Sequence, residues 1–383
     1  MLIEGDKMVR FIQTSDWQIG MKGGGLGEAA PIVREIRIES IHNVLKSAQE
    51  QKVDFVILCG DIFEHNMISQ EDVKKVVTIF NQYPDIPLYL LPGNHDILGA
   101  DCVYNRPIFQ RVGHLTILRT SDSVEVSDAI LHPCPVLSKI TTQDLTGTIP
   151  VVREIEGIHI GAAHGSLVGK SPVPNWEEID LPIDPSCVVR TGIDYLALGH
   201  WHSHRTFEDG TGIARIAYSG THEQTNYGED NAGHCLLVQI DGKGDAPKIE
   251  PIETGQLTWV SMEFELKDSS SLIELEKYFE SIKGIDMVRV VIHGELPLES
   301  KKELDNLLEF QTTIHKNIRV KLDSLNIMVP PQLEALFDFG DPTLNQTEIY
   351  LKQLLPNETD PRKRRIIVEA LTHLQRFGKE VEL

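Results

Sequence analysis

Five short segments of this 383-residue sequence carry side chains able to hold cations or move protons. They are Asp16 with Gln18, Asp61 after Gly60, the tetrad Gly93-Asn94-His95-Asp96, His164 in Ala162-Ala163-His164-Gly165, and His200 with His202 around Trp201. The donors are carboxylate and amide oxygens and imidazole nitrogens, with no thiolate among them. Such a set suits Mn2+, Mg2+ or Fe2+ better than a cysteine-rich structural zinc site. Two carboxylates opposed by two divalent cations leave a net positive pocket, which an anionic phosphodiester and a bridging hydroxide require. Residues two apart on an extended segment project to the same side, so the spacing predicts that Asp16 pairs with Gln18, and His200 with His202. In the tetrad, Asn94 places a ligand beside a candidate acid.

Most of these motifs follow runs that read as strands, at residues 11–15, 53–59, 86–91, 115–119, 157–163, 194–198, 215–218 and 235–240. A helix over residues 31–51, with Ile32, Ile36, Val44, Leu45 and Ala48 on one face, separates the first two. Strand and helix alternation predicts an α/β sandwich whose sheet is mixed or split in two. Open α/β sheets present their sites beyond the carboxyl ends of the strands, so the motifs should converge on one rim. The turn-rich segment Asp241-Gly242-Lys243-Gly244-Asp245-Ala246-Pro247 is expected to end this unit, giving a first domain over residues 1–245. A small α+β module follows over residues 246–330, with strands at 259–266 and 287–293, a helix at 271–282 between them and a further helix at 300–310. Residues 331–383 carry two amphipathic helices, at 346–355 and 360–377. In the second, Ile366, Ile367, Ala370, Leu371, Leu374 and Phe377 form an apolar stripe, and Arg362-Lys363-Arg364-Arg365 crowds the end where the helix dipole disfavours cations.

Composition narrows the classes further. A hydrophobic content of 41% supports a sizeable core. Residues 1–10 have no apolar leader core and no later run could span a bilayer, so a soluble, cytoplasmic protein is expected. Five widely spaced cysteines without a C-x-x-C pair read as reduced thiols, with Cys59 buried in an apolar strand. The net charge of -21 excludes a protein that coats nucleic acid with a basic face. A DNA substrate would be held locally, by cations at the site or by a DNA-binding partner.

Thr14-Ser15-Asp16-Trp17-Gln18-Ile19-Gly20 is similar to the motif T-S-D-W-H-L-G, Gly60-Asp61-Ile62-Phe63-Glu64 to G-D-x-F-D, and Leu196-Ala197-Leu198-Gly199-His200-Trp201-His202 to A-L-G-H-x-H. With Tyr218-Ser219-Gly220 and residues 235–240, they make the first 240 residues resemble the calcineurin-like metallophosphoesterases. Within these, the chain resembles the SbcD-type (meiotic recombination eleven type) DNA repair exonuclease subunit. The resemblance implies that Asp61 bridges two metals, that Asp16, Gln18 and His202 complete one site, and that Asn94, His164 and His200 complete the other. It implies that His95 is a transition-state stabiliser or general acid oriented by Asp96. Glu64 stands where relatives carry Asp or His near the substrate, and His65 beside it would face DNA; His204 and His222 are expected to be solvated or to lie behind the ligands. Position 18 is usually His in this group. Gln is a weaker neutral donor with one more rotor to immobilise, so a weaker first site that prefers hard ions is expected.

By the same resemblance, the small module caps the active site and the C-terminal helices dock on the coiled coil of an SbcC-type, SMC-like ATPase. The expected protein is then a homodimeric, Mn2+-dependent DNA nuclease, exonucleolytic on duplex ends and endonucleolytic on single strands. The alternatives are a phosphoesterase for nucleotides or another phosphodiester, and a catalytically impaired scaffold that lost its first metal through Gln18.

Overall fold

Phe55 to Cys59 are five consecutive apolar residues, all buried, as expected of a strand covered on both faces. The structure, a computed structural model, describes residues 8–23, 26–170, 181–268, 270–282, 287–315, 317–328 and 338–381. Its first compact unit is Met1–Thr258. The strands of this unit are β1 (Val9–Thr14), β2 (Phe55–Cys59), β3 (Leu88–Leu91), β4 (Leu115–Ile117), β5 (Val124–Val126), β6 (Ala129–Cys134), β7 (Ile158–His164), β8 (Ser166–Leu167), β9 (Pro182–Ile183), β10 (Tyr195–Gly199), β11 (Arg205–Glu208), β12 (Ala214–Tyr218), β13 (His234–Ile240) and β14 (Lys248–Glu253). Its helices are α1 (Ala30–Glu50), α2 (Gln70–Phe80) and α3 (Cys187–Thr191). One six-stranded sheet runs β14-β13-β1-β2-β3-β4 and the other β11-β12-β10-β7-β6-β5. β1 to β4 are parallel, as are β6, β7, β10 and β12, while β13, β14, β5 and β11 pair antiparallel. The expected α/β sandwich of two mixed sheets is therefore found.

Alternation along β2 divides its side chains between two cores. Phe55, Ile57 and Cys59 join Phe11, Leu131, Ile160 and Tyr195 between the sheets, whereas Val56 and Leu58 join Val44, Leu45, Val76 and Phe80 beneath α1 and α2. A third cluster, including Leu196, Leu198, Ile216 and Val188, lies under α3. Between the sheets the rings of Phe11 and Phe55 stack at 5.2 Å, with Tyr195 edge-on to Phe11 at 5.8 Å. Removing a ring so enclosed costs roughly 3–5 kcal/mol. The same layer holds a fully satisfied polar tie. Gln13 Nε2 donates to the carbonyls of Leu198 (3.0 Å) and Ala217 (2.8 Å), and Gln13 Oε1 accepts from the Tyr195 hydroxyl (2.6 Å). Because every group is paired, the tie fixes β1 against β10 and β12 without a desolvation penalty.

Residues 241–247 do not end the first unit. They turn the chain into β14, which pairs with β13 from His234↔Glu253 to Gln239↔Lys248, and the unit closes at Thr258. β14 escapes sequence reading because most of its residues are exposed and it contains Pro251, which an edge strand tolerates.

The second unit, Trp259–Leu383, holds β15 (Trp259–Leu266), α4 (Ser270–Ser281), β16 (Met287–Pro297), α5 (Leu298–Ile314), β17 (Ile318–Met328), α6 (Pro342–Leu354) and α7 (Pro361–Val381). Its sheet is β15-β16-β17, all parallel, so the expected further helix at 300–310 is found as α5, the crossover from β16 to β17. The expected apolar stripe on α7 divides. Ile367 and Leu371 are buried, as is Val368, which joins the unit's own core, whereas Ile366 and Phe377 are exposed. Asp360 supplies an acidic group at the basic start of α7, accepting from Arg362 N–H at 2.8 Å. Among the described residues no helix is long and apolar enough to cross a membrane. All five cysteines are buried and free.

Candidate metal centre

The loops that leave β1 and β2 run side by side: Asp16 N–H donates to Gly60 O (3.0 Å), Gln18 N–H to Asp61 O (2.9 Å) and Ile19 N–H to Ile62 O (2.9 Å). Asp16, Gln18, Asp61 and His200 all take positive φ, at 54°, 44°, 54° and 110°. Asp16 and Gln18 therefore do not reach one side along an extended segment, as alternation suggested; left-handed turns aim them. Each such residue costs on the order of 1–3 kcal/mol and persists only where its surroundings impose it. Two glycines let the loops close. A Cβ on Gly93 would lie 2.2 Å from Asp61 Oδ1, and one on Gly199 would lie 1.9 Å from Cys59 O.

Asp61, Asn94, His164 and His200 form one group. His164, the last residue of β7, uses Nδ1 to donate to Cys59 O at 2.8 Å. Its Nε2 faces Asn94 Oδ1 at 2.9 Å and Asp61 Oδ2 at 3.2 Å. The His200 ring packs edge-on against it at 5.1 Å, and the donor atoms of Asp61, His164 and His200 all lie within 4.8 Å of one another. Burial opposes charge on both Asp61 and His164, yet their mutual attraction wins, holding the carboxyl low and the imidazole high. Burial, reinforced by His164, depresses His200 to about 3, so its ring is neutral and keeps a lone pair.

Asp16, Gln18 and His202 form the second group. Asp16 Oδ2 accepts from Ser15 Oγ (2.5 Å) and His200 N–H (2.9 Å), while its Oδ1 is buried with no protein partner. Gln18 Nε2 donates to His202 Nε2 at 2.9 Å, and His202 Nδ1 donates to Glu229 Oε1 at 2.9 Å. Glu229, which no motif in the sequence marks, is thus part of the site. So is Arg37, fully buried, which donates to the carbonyls of Trp17 and Glu223 and ties the loop after β1 to the loop after β12.

His95 N–H donates to Asp61 Oδ1 at 2.9 Å, and its Nδ1 donates to Glu64 O at 2.9 Å, leaving Nε2 3.9 Å from Asp61 Oδ2. Asp96 does not orient this ring. Its carboxylate accepts from Gly93 N–H (2.7 Å), Ile62 N–H (2.8 Å), Phe63 N–H (3.1 Å) and the Tyr104 hydroxyl, clamping the loop after β2 to the loop after β3. Glu64 acts on His95 through its backbone carbonyl, with its carboxylate 3.9 Å from the ring. His65 is half-buried beside it, with Nδ1 lacking a protein partner. His222 is not solvated; it is buried against Trp17 at 5.2 Å and donates through Nε2 to Arg37 O at 2.7 Å. His204 is half-buried and its Nε2 has no protein partner.

The donor set fits divalent cations. Buried carboxylate oxygens without hydrogen-bond donors are costly, and a cation would meet the need of Asp16 Oδ1 and could take the place of the proton between His164 Nε2, Asn94 and Asp61.

Comparison with known proteins agrees with this chemistry. The DNA double-strand break repair protein Mre11 of Aeropyrum pernix is 24% identical over 282 residues, covering 69% of this chain and 66% of that protein. Mre11 of Methanosarcina mazei is 22% identical over 248 residues, covering 62% and 37%. The metallophosphoesterase YhaO of Bacillus subtilis is 23% identical over 300 residues, covering 72% and 70%. The chain thus spans just under two thirds of the first of these relatives and less than two fifths of the second. The model of the calcineurin-like phosphoesterases matches residues 9–204, more than half of the sequence and every segment from Asp16 to His202, and the chain belongs to that family.

Proposed function

We propose that the protein is a metal-dependent DNA nuclease that hydrolyses phosphodiester bonds with two divalent cations, Mn2+ in the working enzyme. Asp61 would be the shared ligand, Asn94, His164 and His200 would complete one position, and Asp16, Gln18 and His202 the other. The observation that supports this reading is the convergence of Asp61, His164 and His200 donor atoms within 4.8 Å of one another, with Asn94 Oδ1 2.9 Å from His164 Nε2 and His95 Nε2 3.9 Å from Asp61 Oδ2. Held there, divalent cations would supply Lewis acidity and lower the pKa of a water so that it loses its proton to solvent and is available as hydroxide at neutral pH. The water oxygen forms the new bond to phosphorus as the bond to the leaving sugar oxygen breaks. His95 aids that departure: with Nδ1 fixed on Glu64 O, its protonated Nε2 donates to the leaving oxygen. Glu64 and His65 border the strand being cut.

The names of the Mre11 relatives, DNA double-strand break repair proteins, support DNA as the substrate. The net charge of -21 favours an assembly in which a partner helps to hold it. In the proposed complex, of SbcCD type and cytoplasmic, the protein is a homodimer. Its α6 and α7 dock an SMC-like ATPase through apolar side chains such as the exposed Ile366 and Phe377.

The test is incubation with end-labelled duplex and single-stranded DNA and Mn2+, alone and with co-purifying proteins, with His95→Ala as control. Mn2+-dependent cleavage of duplex ends that His95→Ala loses is expected. Absence of metal-dependent cleavage under every condition overturns the reading, and cleavage of nucleotides but not DNA replaces it with a small-molecule phosphodiesterase.

A further inference from the structure

Three imidazoles of the site are fixed through Nδ1. His164 donates to Cys59 O at 2.8 Å and His95 to Glu64 O at 2.9 Å, both neutral backbone carbonyls. His202 alone rests on a carboxylate, Glu229 Oε1 at 2.9 Å. Glu229 is itself held firmly. Its Oε2 accepts from Thr225 N–H (2.6 Å) and Asn226 N–H (3.0 Å), and its Oε1 accepts from the Thr225 hydroxyl. It lies beyond the span that the family model matches, in the loop between β12 and β13.

The half of the site that Glu229 backs is the one that depends on the Gln18 amide. A carboxylate behind an imidazole fixes the tautomer that turns Nε2 inward and makes that nitrogen a stronger donor. It also adds a negative charge that no carbonyl supplies. We propose that Glu229 is a positioning residue that strengthens His202 as a cation donor and thereby offsets the weak amide donor Gln18. The proposal rests on the two-cation reading above and concerns one of its two positions. It makes Gln18 and Glu229 energetically coupled through His202, with Glu229 mattering most when position 18 is an amide.

The test measures Mn2+ affinity and stoichiometry by calorimetry for the full chain. Glu229→Gln is made in the native background and in Gln18→His, and Thr225→Val serves as a second variant. Glu229→Gln keeps an acceptor for His202 and removes the charge. It is expected to weaken one Mn2+ position by ~10–100-fold, leave the other unchanged, and have a smaller effect with His at position 18. Thr225→Val removes a hydroxyl that holds Glu229 and lies 3.2 Å from His202 Nδ1 but keeps the carboxylate, and is expected to weaken that position by less than Glu229→Gln does. The metal-free Nδ1–H resonance of His202 should move in Glu229→Gln and persist in Thr225→Val. Unchanged Mn2+ binding in Glu229→Gln, an equal loss in both backgrounds, or an equal loss in Thr225→Val overturns the role of Glu229 while two-position binding in the native protein leaves the nuclease reading standing. A native protein with fewer than two Mn2+ positions overturns both.

Discussion

His164 and His202 serve one site from different footings. His164 closes β7, is fully buried, and is held by a carbonyl at the end of β2. His202 lies past the end of β10, is partly exposed, and is held by Glu229 from another loop. His200, the residue that follows β10, shares the first footing, at a strand end that the Gln13 tie and the apolar layer between the sheets keep in register. Asp16 and Gln18 share the second, on a left-handed turn braced by Arg37. Precision near strand ends comes from the sheet itself, whereas precision in the second half must be supplied by side-chain partners. The second half is therefore where the site can change most readily.

The largest effect should come from Asp61, the proposed shared ligand. Asp61→Asn is expected to lower bound metal from about two ions per chain toward zero and the cleavage rate by more than ~10³-fold. Metal analysis together with single-turnover cleavage checks it. A variant that still holds one ion tightly would show that only one half uses Asp61. Next is His95→Ala, expected to reduce kcat by ~10²–10⁴-fold while leaving metal content intact, because the ring faces the site without belonging to either group of donors. Parallel loss of metal would make His95 a ligand instead.

Asp96→Asn tests the clamp beneath the Asn94 half. The buried carboxylate accepts from four donors, and an amide must turn its own N–H groups toward at least one of them. A destabilisation of ~1.5–3 kcal/mol in denaturant unfolding is expected, with Asn94 and His95 displaced together. An unchanged unfolding midpoint would show that the loops after β2 and β3 hold without it.

Much of this arrangement is legible in sequence, for a physical reason. Apolar runs such as Phe55 to Cys59 announce buried strands, and polar residues next to glycine at their carboxyl ends announce where the rim lies. What adjacency suggests about side-chain direction is less secure. Asp96 follows His95 but turns away from it toward the backbone of Ile62 and Phe63, and the pairing of Asp16 with Gln18 comes from left-handed turns that alternation does not describe. Glu229 carries no sequence signal, because it meets His202 across 27 residues from a loop without a motif. Neither β14, which is mostly exposed and holds Pro251, nor β17, whose alternation breaks at Asp323-Ser324, announces itself in this way.

The smallest effect, and the sharpest on the difference between the halves, belongs to Gln18. Its amide nitrogen donates to the lone pair of His202 Nε2 that a cation would use, so ligation requires the amide to turn over and present Oε1. That rotation exchanges one hydrogen bond for a cation contact and frees the imidazole at the same time. Gln18→Ala is therefore expected to weaken only the second Mn2+ position, by ~10-fold, and Gln18→His to tighten it by a similar factor. Calorimetry resolves the two positions. Equal affinities in Gln18→Ala and the native protein, at an unaltered cleavage rate, would remove Gln18 from the ligand set and leave Asp16 and His202 to hold that position with Asp61.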